Sequence, residues 1–150
     1  MNQKYKEYFK LNKNILAGFV ASIIISAIVA QLLVAQADYL NTTLTLIVDY
    51  VVFFSVFGGL FFLDNRKKYR LKSGQTDKIA LKKDLVKIIA SLGIAEVVYT
   101  IVRWILQYYL LTIEYDPYMA SIISQSVSTI VYMVVLNLSV IMTKVYKNDN

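Results

Sequence analysis

The segment IIASLGIAEVVYTIVRWILQYYLL, from Ile88 to Leu111, is apolar over a length that crosses a bilayer and carries polar groups in a regular order. Gly93, Glu96, Thr100, Arg103 and Gln107 recur at steps of three and four. That spacing predicts one small, polar face on a helix, with Val97, Val98, Ile101, Val102, Ile105 and Leu106 covering the rest. A charge at the bilayer centre costs about 2.5–3.5 kcal/mol on insertion scales, so a lone helix would not hold Glu96 and Arg103 in lipid. The polar face therefore requires other helices against it, and the rest of the chain supplies them.

Of the 150 residues, 57% are hydrophobic, against about 45–50% in an ordinary soluble domain, and the mean hydropathy is +0.53. The class is all-α and integral to the membrane. With no cysteine and no histidine, disulfides, thiol or imidazole catalysis and thiolate metal sites are excluded. No catalytic motif is present, so neither enzymatic activity nor a cofactor or metal is expected. The net charge of +6 does not point to nucleic acid, because the basic residues flank apolar spans.

Residues 1–14 mix Lys4, Lys6, Lys10 and Lys13 with Tyr5, Tyr8 and Phe9, a composition suited to a short interfacial helix. Residues 15–150 are expected to form one four-helix membrane domain. Its first span is 15–37, where Ala17, Gly18, Ala21, Ser22, Ser26 and Ala30 make a small-residue ridge for close helix approach. Ala35-Gln36-Ala37 has the look of a signal-peptidase site, but the apolar run before it exceeds a usual h-region of about 7–15 residues and reads as a span. A loop over 38–43 follows, with Asn41 or Thr42 as the cap of a second span at 44–63. The basic loop 64–87 holds Arg66, Lys67, Lys68, Arg70, Lys72, Lys78, Lys82, Lys83 and Lys87 and is cytoplasmic by the positive-inside rule. Ser73-Gly74 breaks the chain, and Thr76 or Asp77 starts a helix that runs on into the third span at 88–111. The fourth span is 118–143, and Lys144 and Lys147 return the C-terminus to the cytoplasm, where the N-terminus also lies. Tyr39, Tyr108, Tyr109, Tyr115 and Tyr118 gather at the outer interface; Tyr5, Tyr8, Phe62, Tyr69 and Tyr146 gather at the inner one.

An offset of about 75 residues lays the first half on the second. Gly18 meets Gly93, Gln31 meets Gln107, Asp38-Tyr39 meets Glu114-Tyr115 and Asp49 meets Gln125. This predicts a duplicated helical hairpin in parallel orientation, its axis near the membrane normal.

Counted from the outer ends at the helical rise, Asp49 lies about 10 Å and Arg103 about 12 Å down their spans. An Asp49–Arg103 ion pair is therefore expected, completed by Gln125, Gln31, Ser121 and Ser124. Glu96 lies deeper, without a basic partner in the sequence pattern. Two readings of the cluster Asp49, Glu96, Thr100, Arg103, Gln107 and Gln125 stand side by side. In one, the groups satisfy each other and fix helix register; in the other, they line a crevice for a headgroup or an ion. A third places Arg103 or Glu96 against another membrane subunit.

Four short-looped spans, the repeated hairpin and Phe62-Leu63-Asp64-Asn65-Arg66 followed by Tyr69 together resemble the GtrA-like family of small membrane proteins. That family has a Phe-Leu-Leu-Asn-Arg-type ending to its second span; here Asp64 replaces an apolar residue, Tyr69 falls one place early, and the second copy keeps only Leu136-Asn137. The resemblance implies a non-catalytic partner in moving polyprenyl-phosphate-linked sugars across the cell membrane, with Asn65 and Arg66 near the inner headgroups. Lys67, Lys68 and Arg70 extend the same basic rim toward anionic lipid. The competing expectations are an accessory subunit of a larger membrane enzyme complex and an ion or proton pathway through Glu96. The expected partners are membrane lipids and other membrane subunits or further copies of the chain.

Overall fold

The computed structural model describes the backbone of residues 3–143, with the side chains of a few positions near either end and of Ser91 left aside. The expectations placed on Lys4, Tyr5, Tyr8, Asn137, Lys144, Tyr146 and Lys147 lie outside the described residues. Among the described residues five helices follow in order: α1 (Gln3–Leu32), α2 (Asp38–Asn65), α3 (Lys78–Ser91), α4 (Gly93–Thr112) and α5 (Pro117–Thr143). Four segments are long and apolar enough to cross a bilayer, namely Phe9–Leu32, Asp38–Asn65, Gly93–Thr112 and Pro117–Leu136. The fold is an all-α four-helix membrane bundle.

The short turns 33–37 and 113–116 leave their flanking helices no choice but antiparallel neighbours. The hairpin α1/α2 and the hairpin α4/α5 close into a ring because α1 packs on α5 and α2 on α4. Exchanging the two hairpins leaves that ring unchanged, which is the pseudo-two-fold arrangement a repeated hairpin requires. Side chains are sorted as lipid demands: Val20, Ile24, Val51, Ile101, Ile105 and Ile130 point outward, while Ser22, Asp49, Arg103, Gln107, Ser124 and Gln125 are buried.

Close approach of α1 and α2 rests on the small ridge, of which Gly18, Ser22, Ser26 and Ala30 are buried. A Cβ at Gly18 would stand 2.8 Å from the Phe53 ring, so only glycine fits. Gly93, its counterpart in the repeat, has open space around it and begins α4, so the two glycines do different work. Below the ridge Phe19, Phe53, Phe57, Tyr99 and Tyr132 fill the bundle axis. Phe19 is the hub of this layer, its ring centroid 4.7 Å from Phe53, 5.5 Å from Tyr99 and 5.2 Å from Tyr132.

Several boundaries differ from those read in the sequence. The N-terminal segment is continuous with the first span, since α1 begins at Gln3. Asn14, at the expected junction, is buried and donates to Asp64 Oδ2 at 3.0 Å. α1 stops at Leu32 instead of running to Ala37, and α2 begins at Asp38. Asn41 is therefore not the cap of its own helix, whose N-cap is Ala37 without a side-chain hydrogen bond. It caps the preceding one instead, donating from Nδ2 to the carbonyls of Ala30 at 2.9 Å and Leu33 at 3.1 Å, acceptors that a helix end leaves free. Thr42 bonds back to the Asp38 carbonyl at 2.7 Å.

The helix that starts after Asp77, whose carboxylate accepts from the Ala80 N–H at 3.0 Å, does not run unbroken to Leu111. It is interrupted at Leu92, whose N–H is shared between the carbonyls of Ile88 and Ile89. Gly93, a poor helix former, follows at the break, and Leu92 turns into the core. At the outer end of α4, Glu114 adopts φ 66°. The N–H groups of Glu114 and Tyr115 reach back to Leu111 and Leu110, each at 3.0 Å, the paired bonds of a Schellman ending.

Gly18→Ala is expected to lower stability by about 1–3 kcal/mol through overpacking against Phe53. Gly59→Ala, where the added methyl meets open space, should be neutral or stabilising by up to about 1 kcal/mol. Unfolding of both variants in mixed detergent micelles measures the contrast, and equal effects would remove the α1/α2 approach as a constraint.

Candidate functional site

On α4 the buried line is Ala95, Tyr99, Arg103 and Gln107, a strict step of four. The polar face read at steps of three and four is thus rotated. Arg103 and Gln107 are central, whereas Gly93, Glu96 and Thr100 are only half-buried at the edge that meets α2. The rotation puts Tyr99, a residue that sequence reasoning missed, one turn below Arg103 and inside the bundle.

Arg103 is fully buried and its guanidinium joins three helices. Nη1 donates to Gln107 Oε1 on its own helix and to Ser124 Oγ on α5 at 2.6 Å. Nη2 donates to Ser121 Oγ on α5 at 3.1 Å. Nε stands 3.6 Å from Asp49 Oδ2 on α2, so the expected ion pair is present as a contact between charges without a hydrogen bond. Asp49 takes its hydrogen bonds elsewhere: Oδ2 accepts from the Tyr99 hydroxyl at 2.5 Å, and Oδ1 accepts from Gln125 Nε2 at 2.8 Å. Gln125 Nε2 also donates to Ser22 Oγ on α1 at 2.7 Å, which brings the fourth helix into the network.

Above this belt Gln107 Nε2 donates to Asn41 Oδ1 at 3.3 Å, and the Thr45 hydroxyl donates to the same oxygen at 3.2 Å. Gln31, expected among these groups, lies exposed at the outer end of α1, where its Oε1 accepts from the Tyr118 N–H at 3.4 Å. Below the belt, Thr100 donates to the Glu96 carbonyl at 2.8 Å and pairs with the Tyr50 hydroxyl on α2. The aromatic layer around Phe19 lies between the belt and the end of the bundle that carries the loop 64–87. Asn41, Ser22 and Tyr99 carried no signal beyond their type, because each reads as a cap, a ridge residue or an apolar cover until the helices are placed.

Most of the belt's polar atoms bond one another, while Arg103 Nε and Gln125 Oε1 have no hydrogen-bond partner. A buried arginine is tolerated when its donors are used and its charge is faced by a carboxylate, and breaking such a pair at one end costs about 3–5 kcal/mol. The belt links α1, α2, α4 and α5 through side-chain contacts, and no group of three or more acidic side chains that would hold a metal occurs among the described residues.

At the end of the bundle that carries the loop 64–87 the basic rim is built differently. Arg66, Lys67 and Arg70 are exposed, while Asn65 donates to the Phe61 carbonyl of its own helix at 2.8 Å. Tyr69, read as an interface anchor, is buried instead. Its hydroxyl donates to Asp84 Oδ2 on α3 at 2.7 Å, and Lys68 Nζ bonds the same oxygen at 2.6 Å. The Lys68 ammonium, with the Tyr69 hydroxyl, holds the Asp84 carboxyl below its ordinary value of 3.8, and Asp84 in turn raises Lys68. The loop between them is folded by an isolated antiparallel bridge of Arg70 with Thr76 and a turn at Gly74 with φ 83°.

Arg103→Ala should lower unfolding stability by about 3–5 kcal/mol, and Asp49→Asn combined with Arg103→Gln should cost less than the sum of the single changes. Detergent unfolding of the full cycle tests the pairing, and additivity would mean the two charges do not interact. For the rim, a carboxyl held below its unfolded value contributes stability above that value and loses it as pH falls. The clasp should therefore hold at neutral pH and open only below 3.8, whereas Asp84→Asn should open it at any pH. Faster tryptic cleavage after Arg70 and Lys72 in the variant is the readout.

Comparison with protein-family models, with characterised proteins and with solved structures gives no match to this chain.

Proposed function

We propose that the chain is a non-catalytic multi-pass protein of the cell membrane that acts as a translocation partner for polyprenyl-phosphate-linked sugars. The observation that carries this reading is the cytoplasmic rim. Arg66, Lys67 and Arg70 stand exposed beside the buried Tyr69 at the end of α2. The Tyr69–Asp84 bond fixes the loop to α3, so the three cations are displayed from an anchored backbone. Cations in that position attract phosphate at the headgroup level. The likeness of 62–66 to the GtrA-like motif supplies the sugar-lipid identity of the phosphate.

A second reading, an accessory subunit of a larger membrane enzyme complex, draws on the polar belt. Arg103 is buried and its Nη1 and Nη2 bond within the chain, so this reading places the partner contact on the outer surface, with the bundle as a scaffold. Trp104, which stacks on Tyr108 at 5.2 Å and donates to Thr43 Oγ1 at 3.1 Å, gives the α2/α4 seam a structured outer edge for such a contact.

Replacing Arg66, Lys67 and Arg70 together by Gln is expected to abolish lipid-linked sugar transfer in membranes while leaving the unfolding midpoint unchanged. Wild-type transfer in this variant would overturn the first reading. A mild-detergent pull-down then separates the two, since a stoichiometric set of other membrane subunits supports the second and a co-purifying polyprenyl phosphate the first.

A further inference from the structure

The inner face of α3 is used by the bundle, and its outer face is not. Leu85 and Ile88 pack against the core cluster of Ile15, Phe57 and Ala95. On the opposite side Ile79 is 83% and Val86 56% exposed. At 100° per residue, Ile79, Val86 and Ala90 fall on one narrow line, with Lys83 and Lys87 on one flank and Lys78 and Lys82 on the other. All four lysines are exposed, and none forms an ion pair among the described residues. The single acid of the helix, Asp84, is already taken by Lys68 and Tyr69.

A solvated cytoplasmic helix has no use for two bare β-branched side chains aligned along its outer face. A helix lying in the headgroup region does, because the apolar line enters the acyl boundary while lysine stems extend sideways to the phosphates. α3 also sits where this is geometrically required. It joins directly to the membrane span α4 through the single residue Leu92, and it is tied at its middle to the rim by the Asp84 clasp.

We propose that α3 is an interfacial arm that lies in the inner leaflet and binds anionic phospholipid headgroups through Lys78, Lys82, Lys83 and Lys87, with Ile79 and Val86 inserted. The occupant is the leaflet itself, chosen by the unneutralised charge of the four lysines. The inference does not rest on the sugar-lipid reading, since bulk anionic lipid is a different ligand and α3 a different element from the rim.

The chain has no cysteine, so single labels are introduced cleanly. In vesicles containing phosphatidylglycerol, bimane at Ile79→Cys and Val86→Cys should be quenched by lipid-attached nitroxide and shielded from aqueous iodide. A label at Gln75→Cys in the loop should show the reverse. Aqueous exposure at both 79 and 86 would overturn the insertion, and a protein partner covering this face would appear as shielding from both quenchers. Retention of phosphatidylglycerol over phosphatidylcholine, read by native mass spectrometry, should fall on the order of tenfold in Lys82→Gln/Lys83→Gln/Lys87→Gln. It should persist in the corresponding arginine variant and in the Gln variant of Arg66, Lys67 and Arg70. Unchanged retention in the α3 variant, or loss only in the rim variant, would overturn the assignment of the headgroup site to α3.

Discussion

The bundle depends on the placement of one guanidinium. Removing an ion from water into a low-dielectric interior carries a penalty of several kcal/mol even after relaxation, and Arg103 is wholly buried. The fold offsets that penalty by surrounding the group with Asp49 from α2, Ser121 and Ser124 from α5 and Gln107 from α4. No rotation or slide of α2, α4 or α5 alone preserves all four contacts, and α1 is tied in through Ser22 and Gln125. In lipid, where apolar helix faces gain little by meeting each other rather than acyl chains, such directional bonds and close small-residue contacts are what distinguish one packing from the alternatives.

Shape and polar contacts both act, in different proportions at different seams. Within the first hairpin, Gly18 against Phe53 brings α1 and α2 together by shape. Across the seam of α2 with α4, contact is made at polar points. Asn41 meets Gln107, Thr43 meets Trp104, Asp49 meets Tyr99 and Arg103, and Tyr50 meets Thr100. Arg103 also bonds Ser121 and Ser124 inside the second hairpin, so a change in the polar belt acts both on that hairpin and on its docking to the first.

The span count and the Asp49–Arg103 pairing were legible because they follow from apolar run length and from depth counted at a fixed rise. What was not legible depends on the rotation and ends of helices. A step of three and a step of four both describe a helix face, and only packing decided for Ala95, Tyr99, Arg103 and Gln107 over the line through Gly93, Glu96 and Thr100. Asn41 reads locally as an N-cap, yet its amide serves the end of the preceding helix, a choice made by the turn geometry of 33–37. Tyr69 carries the composition of an interface anchor, but Asp84, fifteen residues on, turns it inward. Arg66, Lys67, Lys68 and Arg70 lie on the surface as their charge implies, whereas Asn65 is half-buried and bonds the Phe61 carbonyl of its own helix.

Asp49 and Gln125 occupy equivalent places in the two halves of the sequence and hydrogen-bond to each other. A contact between equivalent positions falls on the pseudo-two-fold axis. Were the protein a symmetric pair of identical hairpins, two aspartates would confront each other there, like charges in a medium that hardly screens them. Linking the hairpins in one chain frees the copies to differ, so that one supplies the carboxylate, the other the amide that bonds it, and a single arginine suffices for both. The covalent connection through α3 is thus also a licence for asymmetry: it permits a charged centre that a homodimer of the same half could not hold.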